Sequence, residues 1–322
     1  MDYHFRENLA GFKKQLDNDA GVAYLTVWGI FPDARPGQRE DVAKAMKDIT
    51  EPFKAETSTA SPIFRLPSRI ARRLGRTPAL RSVIERVNDS RRKLSFHTRY
   101  ADEEVRLAGY RDCRTAGEFF SFISRVPGMP PHQKPGEILR FLDFAGTRSP
   151  ANVCEIGTAD GGNNFLLGQA IPSVKFMLGI DLFVRNKHRL LNYRRPGQEL
   201  RYLDASSYAA ETVEKVRRLL AGRTLDLLFI DGDHTYEGVK KDFVLYREYV
   251  CDGGVIAFHD IVGDYKTRFG RETGQRAGDV PLFWQEIKPL FPSVEFIEHC
   301  EQDGFGIGCI ENREAVQLPC PL

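Results

Sequence analysis

The 322-residue chain contains few of the residues that build metal clusters and disulfide scaffolds, with six cysteines and seven histidines. No two cysteines stand in a C-x-x-C spacing, and none lies near a histidine at the spacing of a zinc site, which excludes the common zinc modules. Cys154 and Cys309 fall within apolar runs. We therefore expect reduced thiols buried in a core rather than disulfides.

Long apolar runs are also missing. The longest, residues 22–31, is too short for a membrane-spanning helix, which needs about 20 residues. The first residues show no basic stretch leading into an apolar segment, as a secretory signal would. The sequence therefore predicts a soluble, cytoplasmic protein.

A large excess of one charge is absent overall, since 46 Lys and Arg oppose 44 Asp and Glu. The charge is uneven, however. Residues 61–114 hold 14 basic against 6 acidic residues (net +8), which leaves 32 against 38 (net −6) elsewhere. The acidic remainder opposes binding to a phosphate backbone, so we expect no nucleic-acid partner. Within the basic segment, residues 61–95 place apolar residues at near-helical spacing, which favours either peripheral contact with an anionic membrane or an ordinary solvated surface.

Two regions follow from the pattern along the chain. Residues 1–114 are predicted to form an α-rich N-terminal extension, with a strand at 22–28 and a helix at 41–53. Residues 115–322 are predicted to form a second domain, in which apolar runs alternate with helices. This alternation indicates an α/β, Rossmann-like, doubly wound and mostly parallel seven-stranded sheet, with an antiparallel hairpin at one edge. The predicted strands are residues 152–156, 174–180, 200–203, 225–230, 255–258, 294–297 and 305–310.

Acidic or polar residues stand at the end of each of the first five predicted strands. Ligands of doubly wound sheets bind at the carboxyl ends of the strands, so these residues predict one crevice lined with carboxylates. The residues at these strand ends are Glu155, Asp181, Asp204, Asp231, His259 and Asp260.

A glycine-rich turn, residues 157–162, follows the first predicted strand. It matches neither the G-x-G-x-x-G fingerprint nor a P-loop. Glu155 before the glycines repels a phosphate and favours a ligand with an ammonium group. Asp181 can accept both hydroxyl protons of a ribose, and Asp204 with Ser206 can accept an adenine amine. A nucleoside with a charged amino-acid tail suits all of them, although a plain tight turn is the alternative.

Four motifs carry a resemblance to a known family. They are Q-K-P-G-E at residues 133–137, E-x-G-x-x-x-G-G at 155–162, F-I-D-G-D-H-T-Y-E-G-V at 229–239 and G-G-V-I-A-F-H-D at 253–260. Residues 133–310 thereby resemble the class I S-adenosylmethionine-dependent methyltransferases. They are most similar to the metal-dependent small-molecule and sugar O-methyltransferases, including macrolide-sugar methyltransferases and cephalosporin-biosynthesis methyltransferase-like proteins.

This resemblance implies an O-methyltransferase that acts on a hydroxyl of a sugar or other small metabolite. It implies S-adenosylmethionine as methyl donor. The residues implied to bind it are Glu155, Gly157, Asp160, Gly161, Asp181, Asp204 and Ser206.

The resemblance also implies a divalent metal, Mg²⁺ or Mn²⁺, held by Asp231, His259 and Asp260. His259 stands where relatives have a carboxylate, so it is a candidate ligand, general base or residue behind the ligands. His234 matches the general base of the sugar methyltransferases, and histidine titrates near neutral pH. A helix cap is the alternative role for His234.

Several alternatives stay open. A catechol-type methyltransferase shows a similar spacing from Asp231 to Tyr236. A non-catalytic nucleoside-binding module that docks through residues 61–114 is a further alternative. Basic residues in 185–195 and in the 19-residue loop 261–279 favour an anionic acceptor, with a solvated loop as the other interpretation. Association into a homo-oligomer also stays open.

Overall fold

The computed structural model describes residues 109–316 and residue 318. The predicted strand at 22–28, the helix at 41–53 and the basic segment at 61–95 lie outside the described residues. The predicted membrane contact of that segment lies outside them as well.

The described residues form one seven-stranded sheet in the order β3-β2-β1-β4-β5-β7-β6. Strands β1 to β5 run parallel to one another, whereas β7 runs antiparallel to both β5 and β6. This confirms the predicted doubly wound sheet with an antiparallel hairpin at one edge. The strands are β1 (Asn152–Ile156), β2 (Phe176–Asp181), β3 (Glu199–Asp204), β4 (Leu225–Ile230), β5 (Val250–His259), β6 (Ser293–Phe296) and β7 (Ile307–Glu311).

Helices connect the strands and cover both faces of the sheet. Their ends follow ordinary capping chemistry: Thr115 forms a capping box before the first helix, and Pro135 stands in the first turn of the second. The helices are α1 (Ala116–Ser124), α2 (Pro135–Thr147), α3 (Gly162–Ala170), α4 (Lys187–Asn192), α5 (Ala210–Leu220), α6 (Tyr236–Arg247), α7 (Tyr265–Phe269) and α8 (Val280–Ile287), followed by a 3-10 turn at Lys288–Leu290.

Two apolar cores lie on opposite faces of the sheet. Val153 of β1 packs into the core that contains Phe141 and Phe165, whereas its neighbour Cys154 packs into the core that contains Phe243. Successive side chains of a strand point to opposite faces. Because both faces are covered, apolar residues dominate the central strands, which is why their sequences are close to continuous apolar runs.

The five cysteines within the described ranges form no disulfide, and Cys154 and Cys309 are buried, as predicted. Among the same residues, no helix combines the length and apolar character needed to cross a membrane. Two short helices were not predicted. One is α4, and the other is α7, which lies inside the predicted loop 261–279 and is capped by the Asp264 carboxylate, which accepts from the Thr267 N–H at 2.7 Å.

Candidate active site

The glycine turn joins β1 to α3 and touches the end of β4. Gly157 has a φ of +91°, and a Cβ there would lie 1.9 Å from the carbonyl oxygen of Asp231. Gly161 has a φ of +89°, and a Cβ there would lie 2.7 Å from the Leu190 side chain. Only glycine fits such conformations at such close approach. The turn therefore brings the ends of β1 and β4 into direct backbone contact.

Glu155 lies in the interior against the first turn of α3. Its two carboxylate oxygens accept hydrogen bonds from the side-chain amides of Asn163 and Asn164, both at 2.8 Å. Burial raises the pKa of Glu155 to about 7, while the two amide bonds oppose that rise. Both amide donors lie at the start of α3, so Glu155 holds the turn and the helix together.

Asp181 and Asp204 lie side by side at the ends of β2 and β3. The Asp181 carboxylate accepts from the backbone N–H groups of Ala159 at 2.9 Å and Phe183 at 2.8 Å. Asp204 accepts from the Val184 N–H at 3.0 Å. These bonds fix the orientation of both carboxylates.

The other two predicted cofactor residues have different surroundings. Asp160 is buried, and its carboxylate pairs with the Arg185 guanidinium at 3.0 Å and lies 3.4 Å from His132 Nε2. Ser206 is half-buried in the segment after β3. Of the basic residues 185–195, Arg185 thus pairs with Asp160, and Lys187 forms an ion pair with Asp204. The structure brings all the predicted cofactor residues to the ends of β1, β2 and β3.

A second cluster forms at the ends of β4 and β5. His259 Nδ1 lies 3.1 Å from Asp231 Oδ1 and 3.6 Å from Asp260 Oδ2. His234 Nε2 lies 3.4 Å from Asp231 Oδ1, and its Nδ1 lies 3.2 Å from Asp260 Oδ2. The four side chains predicted from the strand ends and the following turn therefore meet. His259 is 4% exposed, whereas His234 is 34% exposed.

The charges of this cluster shift one another. Burial alone would raise the pKa of Asp231, but His259 and His234 outweigh it and hold that pKa below its usual range. The hydrogen bond to Asp231 raises the pKa of His234 to about 9 against the effect of burial. Burial lowers the pKa of His259, but the charges of Asp231 and Asp260 outweigh it and raise that pKa to about 9. Burial raises the pKa of Asp260.

The cluster has the chemistry of a cation site. Ligand atoms of Asp231, His234 and Asp260 lie within 4.8 Å of one another. Two buried atoms beside them, His259 Nε2 and Gln133 Oε1, have no hydrogen-bond partner among the residues that the structure describes. Sequence reasoning named His259 rather than His234 as the third ligand beside the two carboxylates.

Gln133 is a site residue to which sequence reasoning assigned no role. Its Nε2 donates to Asp231 Oδ2 at 3.2 Å, across 98 residues of sequence. The only sequence signal was its place at the head of the Q-K-P-G-E motif.

The end of loop 261–279 packs against His234. The Arg276 carbonyl lies 3.0 Å from His234 Nδ1, and the Asp279 N–H donates to the His234 carbonyl at 2.7 Å. A Cβ at Gly278 would lie 2.1 Å from that same carbonyl. The loop therefore borders the half-exposed face of the cluster.

Comparison with known proteins places this site within a recognised domain. Residues 154–261 match the family model described as a methyltransferase domain. Uncharacterized protein R132 of Acanthamoeba polyphaga mimivirus is 31% identical over 165 residues, which cover 49% of this chain and 70% of R132.

Two solved structures with a similar fold are described as O-methyltransferases. One is the O-methyltransferase from Bacillus cereus in complex with SAH, with 17% identity, a TM-score of 0.43 and coverage of 61% of this chain and 90% of that one. The other is a putative caffeoyl-CoA O-methyltransferase from Staphylococcus aureus, with 18% identity, a TM-score of 0.44 and coverage of 63% and 94%.

Proposed function

Because the chain belongs to the class I S-adenosylmethionine-dependent methyltransferase family, we propose that it methylates a hydroxyl group of a sugar or other small metabolite, with His234 as general base and with the help of a divalent cation. The observation that carries this proposal is the convergence of two carboxylates and two imidazoles beside the glycine turn. Such a cluster can both bind a cation and accept a proton.

The ends of β1, β2 and β3 suit the methyl donor. Asp181 and Asp204 lie in register and are oriented by backbone N–H groups, so each presents oriented acceptor sites to a nucleoside. S-adenosylmethionine, when bound, supplies an electrophilic methyl group. The residues of this half would bind and orient that donor, because placing the reacting atoms about 3–3.5 Å apart and in line accounts for much of the rate.

His234 suits the role of base for the acceptor. Methyl transfer to a hydroxyl requires that the hydroxyl lose its proton, and the neutral form of His234 can take it at Nε2. A cation on Asp231 and Asp260 would offset the carboxylate charges that raise the pKa of His234, and would so favour that neutral form. Its side chain is 34% exposed and reachable by an acceptor, whereas His259 is 4% exposed and is not. His259 is therefore suited to hold Asp231 in place or to serve as a ligand.

The residues of the cluster also fit a divalent cation. Asp231 and Asp260 supply carboxylate oxygens, and His259 Nδ1 lies within 4 Å of both. His234 lies within 4 Å of Asp231 through Nε2 and of Asp260 through Nδ1. The buried atoms Gln133 Oε1 and His259 Nε2 have no hydrogen-bond partner among the described residues. Such orphaned atoms agree with a site that binds a further ligand. Oxygen ligands favour Mg²⁺, and an imidazole ligand shifts the preference towards Mn²⁺. Such a cation, when bound, lowers the pKa of a coordinated hydroxyl.

The test combines binding and turnover. Isothermal titration with S-adenosylhomocysteine and with Mn²⁺ measures the two halves of the site separately, and methyl transfer to a panel of sugar and phenolic acceptors is then measured with and without chelator. We expect both ligands to bind and chelator to reduce turnover on a hydroxyl acceptor. Turnover that is unchanged by chelator would contradict the metal, and turnover unchanged in His234→Ala would contradict the base.

A further inference from the structure

Glu137 is a buried acid that the proposed reaction does not use. It lies in the first turn of α2 and is 0% exposed. Its Oε2 accepts from the Gly306 N–H at 2.9 Å, and its Oε1 accepts from Gln302 Nε2 at 2.5 Å and from the Glu298 N–H at 3.4 Å. A buried carboxylate persists when its acceptor sites are filled in this way, and all these donors belong to the single segment 298–306.

Gln302 forms further hydrogen bonds within the segment 298–306. Its Nε2 donates to the Gly304 carbonyl at 2.8 Å as well as to Glu137, and its Oε1 accepts from the N–H groups of Glu298 at 3.0 Å and His299 at 3.1 Å. The side chains of Glu137 and Gln302 therefore fix residues 304–306 on one side.

The other side of the same segment holds the end of β5. The Phe305 N–H donates to Asp260 Oδ1 at 2.9 Å. The N–H groups of Val262 and Ile261 donate to the carbonyls of Phe305 at 3.0 Å and Gly306 at 3.4 Å. A continuous series of hydrogen bonds thus runs from Glu137 through residues 305–306 to the Asp260 carboxylate.

Two residues joined by this series of hydrogen bonds have strained backbone conformations. Asp260 has a φ of +61° and Phe305 a φ of +63°, both in the left-handed region. Such conformations are costly for residues other than glycine and persist where the surroundings hold them. Without the bonds on both sides of residues 305–306, Asp260 is free to relax and turn its carboxylate away from Asp231.

We propose that Glu137 is a positioning residue, which holds the Asp260 carboxylate in its place in the cation site through the segment 302–306. This inference rests on the proposed function for the cation itself. A carboxylate is required because three N–H donors converge on it, whereas a glutamine would turn its own NH₂ group towards one of them.

The main variant is Glu137→Gln in the full chain, and Asp143→Asn, at an exposed position of the same helix, is the matched control. Partners behind metal ligands are worth about 10- to 100-fold in metal affinity. We expect Glu137→Gln to weaken Mn²⁺ binding at least about tenfold by isothermal titration, to leave S-adenosylhomocysteine affinity unchanged, and to speed hydrogen exchange at the Phe305 amide. Asp143→Asn should leave all three unchanged.

A folded Glu137→Gln protein with wild-type Mn²⁺ affinity would overturn the proposal, and so would a parallel loss of S-adenosylhomocysteine affinity. Should this variant fail to fold, Gln302→Met keeps the Glu137–Gly306 bond and is expected to weaken Mn²⁺ binding to a smaller extent. Failure of both variants to fold would contradict the proposal, because the network would then serve the fold alone.

Hydrogen exchange separates this inference from the proposed function. If the wild-type protein binds no Mn²⁺, the proposed cation fails, while faster exchange at Phe305 in Glu137→Gln would still support the positioning of Asp260. Unchanged exchange at Phe305 would overturn the positioning role whatever the cation does.

Discussion

The carboxyl edge of the sheet has two halves, in which the carboxylates have different partners. In the nucleoside half, at the ends of β1, β2 and β3, each carboxylate is paired with backbone N–H groups, amides or a basic side chain. In the histidine half, at the ends of β4 and β5, Asp231 and Asp260 face the same two imidazoles. The first half pairs its acids with fixed partners of the fold, whereas in the second half two carboxylates share the same two imidazoles.

This difference indicates how each half works. Polar groups that the fold already holds in place can orient a nucleoside without rearranging, because the free-energy cost of ordering them arises on folding. Two carboxylates beside each other repel unless a proton or a cation lies between them. The nucleoside half therefore provides preformed geometry, and the histidine half provides a field suited to a cation or a proton. Four substitutions test this division, from the largest expected effect to the smallest.

Gly157→Ala should damage both halves, because Gly157 joins them. Its Cβ would lie 1.9 Å from the Asp231 carbonyl oxygen at a φ of +91°, and overpacking and backbone strain each cost about 1–3 kcal/mol. Thermal unfolding should show a large loss of stability. Gly197→Ala is the control, since Gly197 has a φ of +76° with open space around it. Equal losses in the two variants would show that the close contact is unimportant.

Asp231→Asn should disable the histidine half alone. It removes a carboxylate that faces both histidines, so Mn²⁺ binding should be lost and methyl transfer should fall at least about 100-fold. S-adenosylhomocysteine affinity should stay near the wild-type value by isothermal titration. Asp252→Asn, at an exposed position early in β5, should leave Mn²⁺ binding, methyl transfer and S-adenosylhomocysteine affinity unchanged. Retained turnover in Asp231→Asn would refute the assigned role of this half.

Asp181→Asn should produce the reverse pattern. Hydrogen bonds to a charged group are worth about 1.5–3 kcal/mol, so we expect S-adenosylhomocysteine affinity to fall roughly 10- to 100-fold. Mn²⁺ affinity should not change, because Asp181 has its bonds to Ala159 and Phe183 in the nucleoside half. A matching loss of Mn²⁺ binding would show that the two halves are not separable.

Asp242→Asn tests a buried carboxyl next to the histidine half, since a Cβ at Gly232 would lie 3.0 Å from its Oδ2. Burial raises the pKa of Asp242 in α6 to about 7, above the unfolded value of about 3.9. The folded protein therefore holds a proton that the unfolded chain releases. The contribution of Asp242 to stability is thus greatest below about pH 4 and falls as the pH rises to about 7. This change amounts to about 1 kcal/mol between pH 6 and pH 7.5.

Denaturant unfolding at several pH values measures that dependence. Asp242→Asn should flatten the decline, whereas Glu211→Gln, at an exposed position of α5, should follow the wild-type curve. An unchanged slope in Asp242→Asn would mean that this carboxyl does not titrate on unfolding.

Much of the fold followed from apolar patterning. The predicted ranges 152–156 and 225–230 coincide with β1 and β4, because strands covered on both faces are predominantly apolar. The start of β5 was missed, since Asp252, Gly253 and Gly254 interrupt the apolar run before residue 255. Helices α4 and α7 are too short, at 6 and 5 residues, to show a helical period.

The site divides in a similar way. Asp181, Asp204, Asp231 and Asp260 were predictable because each follows or ends an apolar strand, and parallel strands share one carboxyl edge. Gln133 and Glu137 were not, since their partners Asp231 and Gly306 lie 98 and 169 residues away in the chain. The spacing of apolar residues within one helix or strand carries no information about a contact with so distant a residue.

The sequence by itself determined which chemical groups the edge of the sheet would carry, because each of the five parallel strands is mostly apolar and is followed or ended by acidic or polar residues. Only the tertiary structure decided which groups satisfy one another. The left-handed conformation of Asp260 and its bond from Phe305 depend on a segment that returns to the sheet after 45 residues. The bond from the Ala159 N–H to Asp181 likewise forms only once separate strands are packed together. The same holds for the placement of Asp231 and Asp260 against two imidazoles.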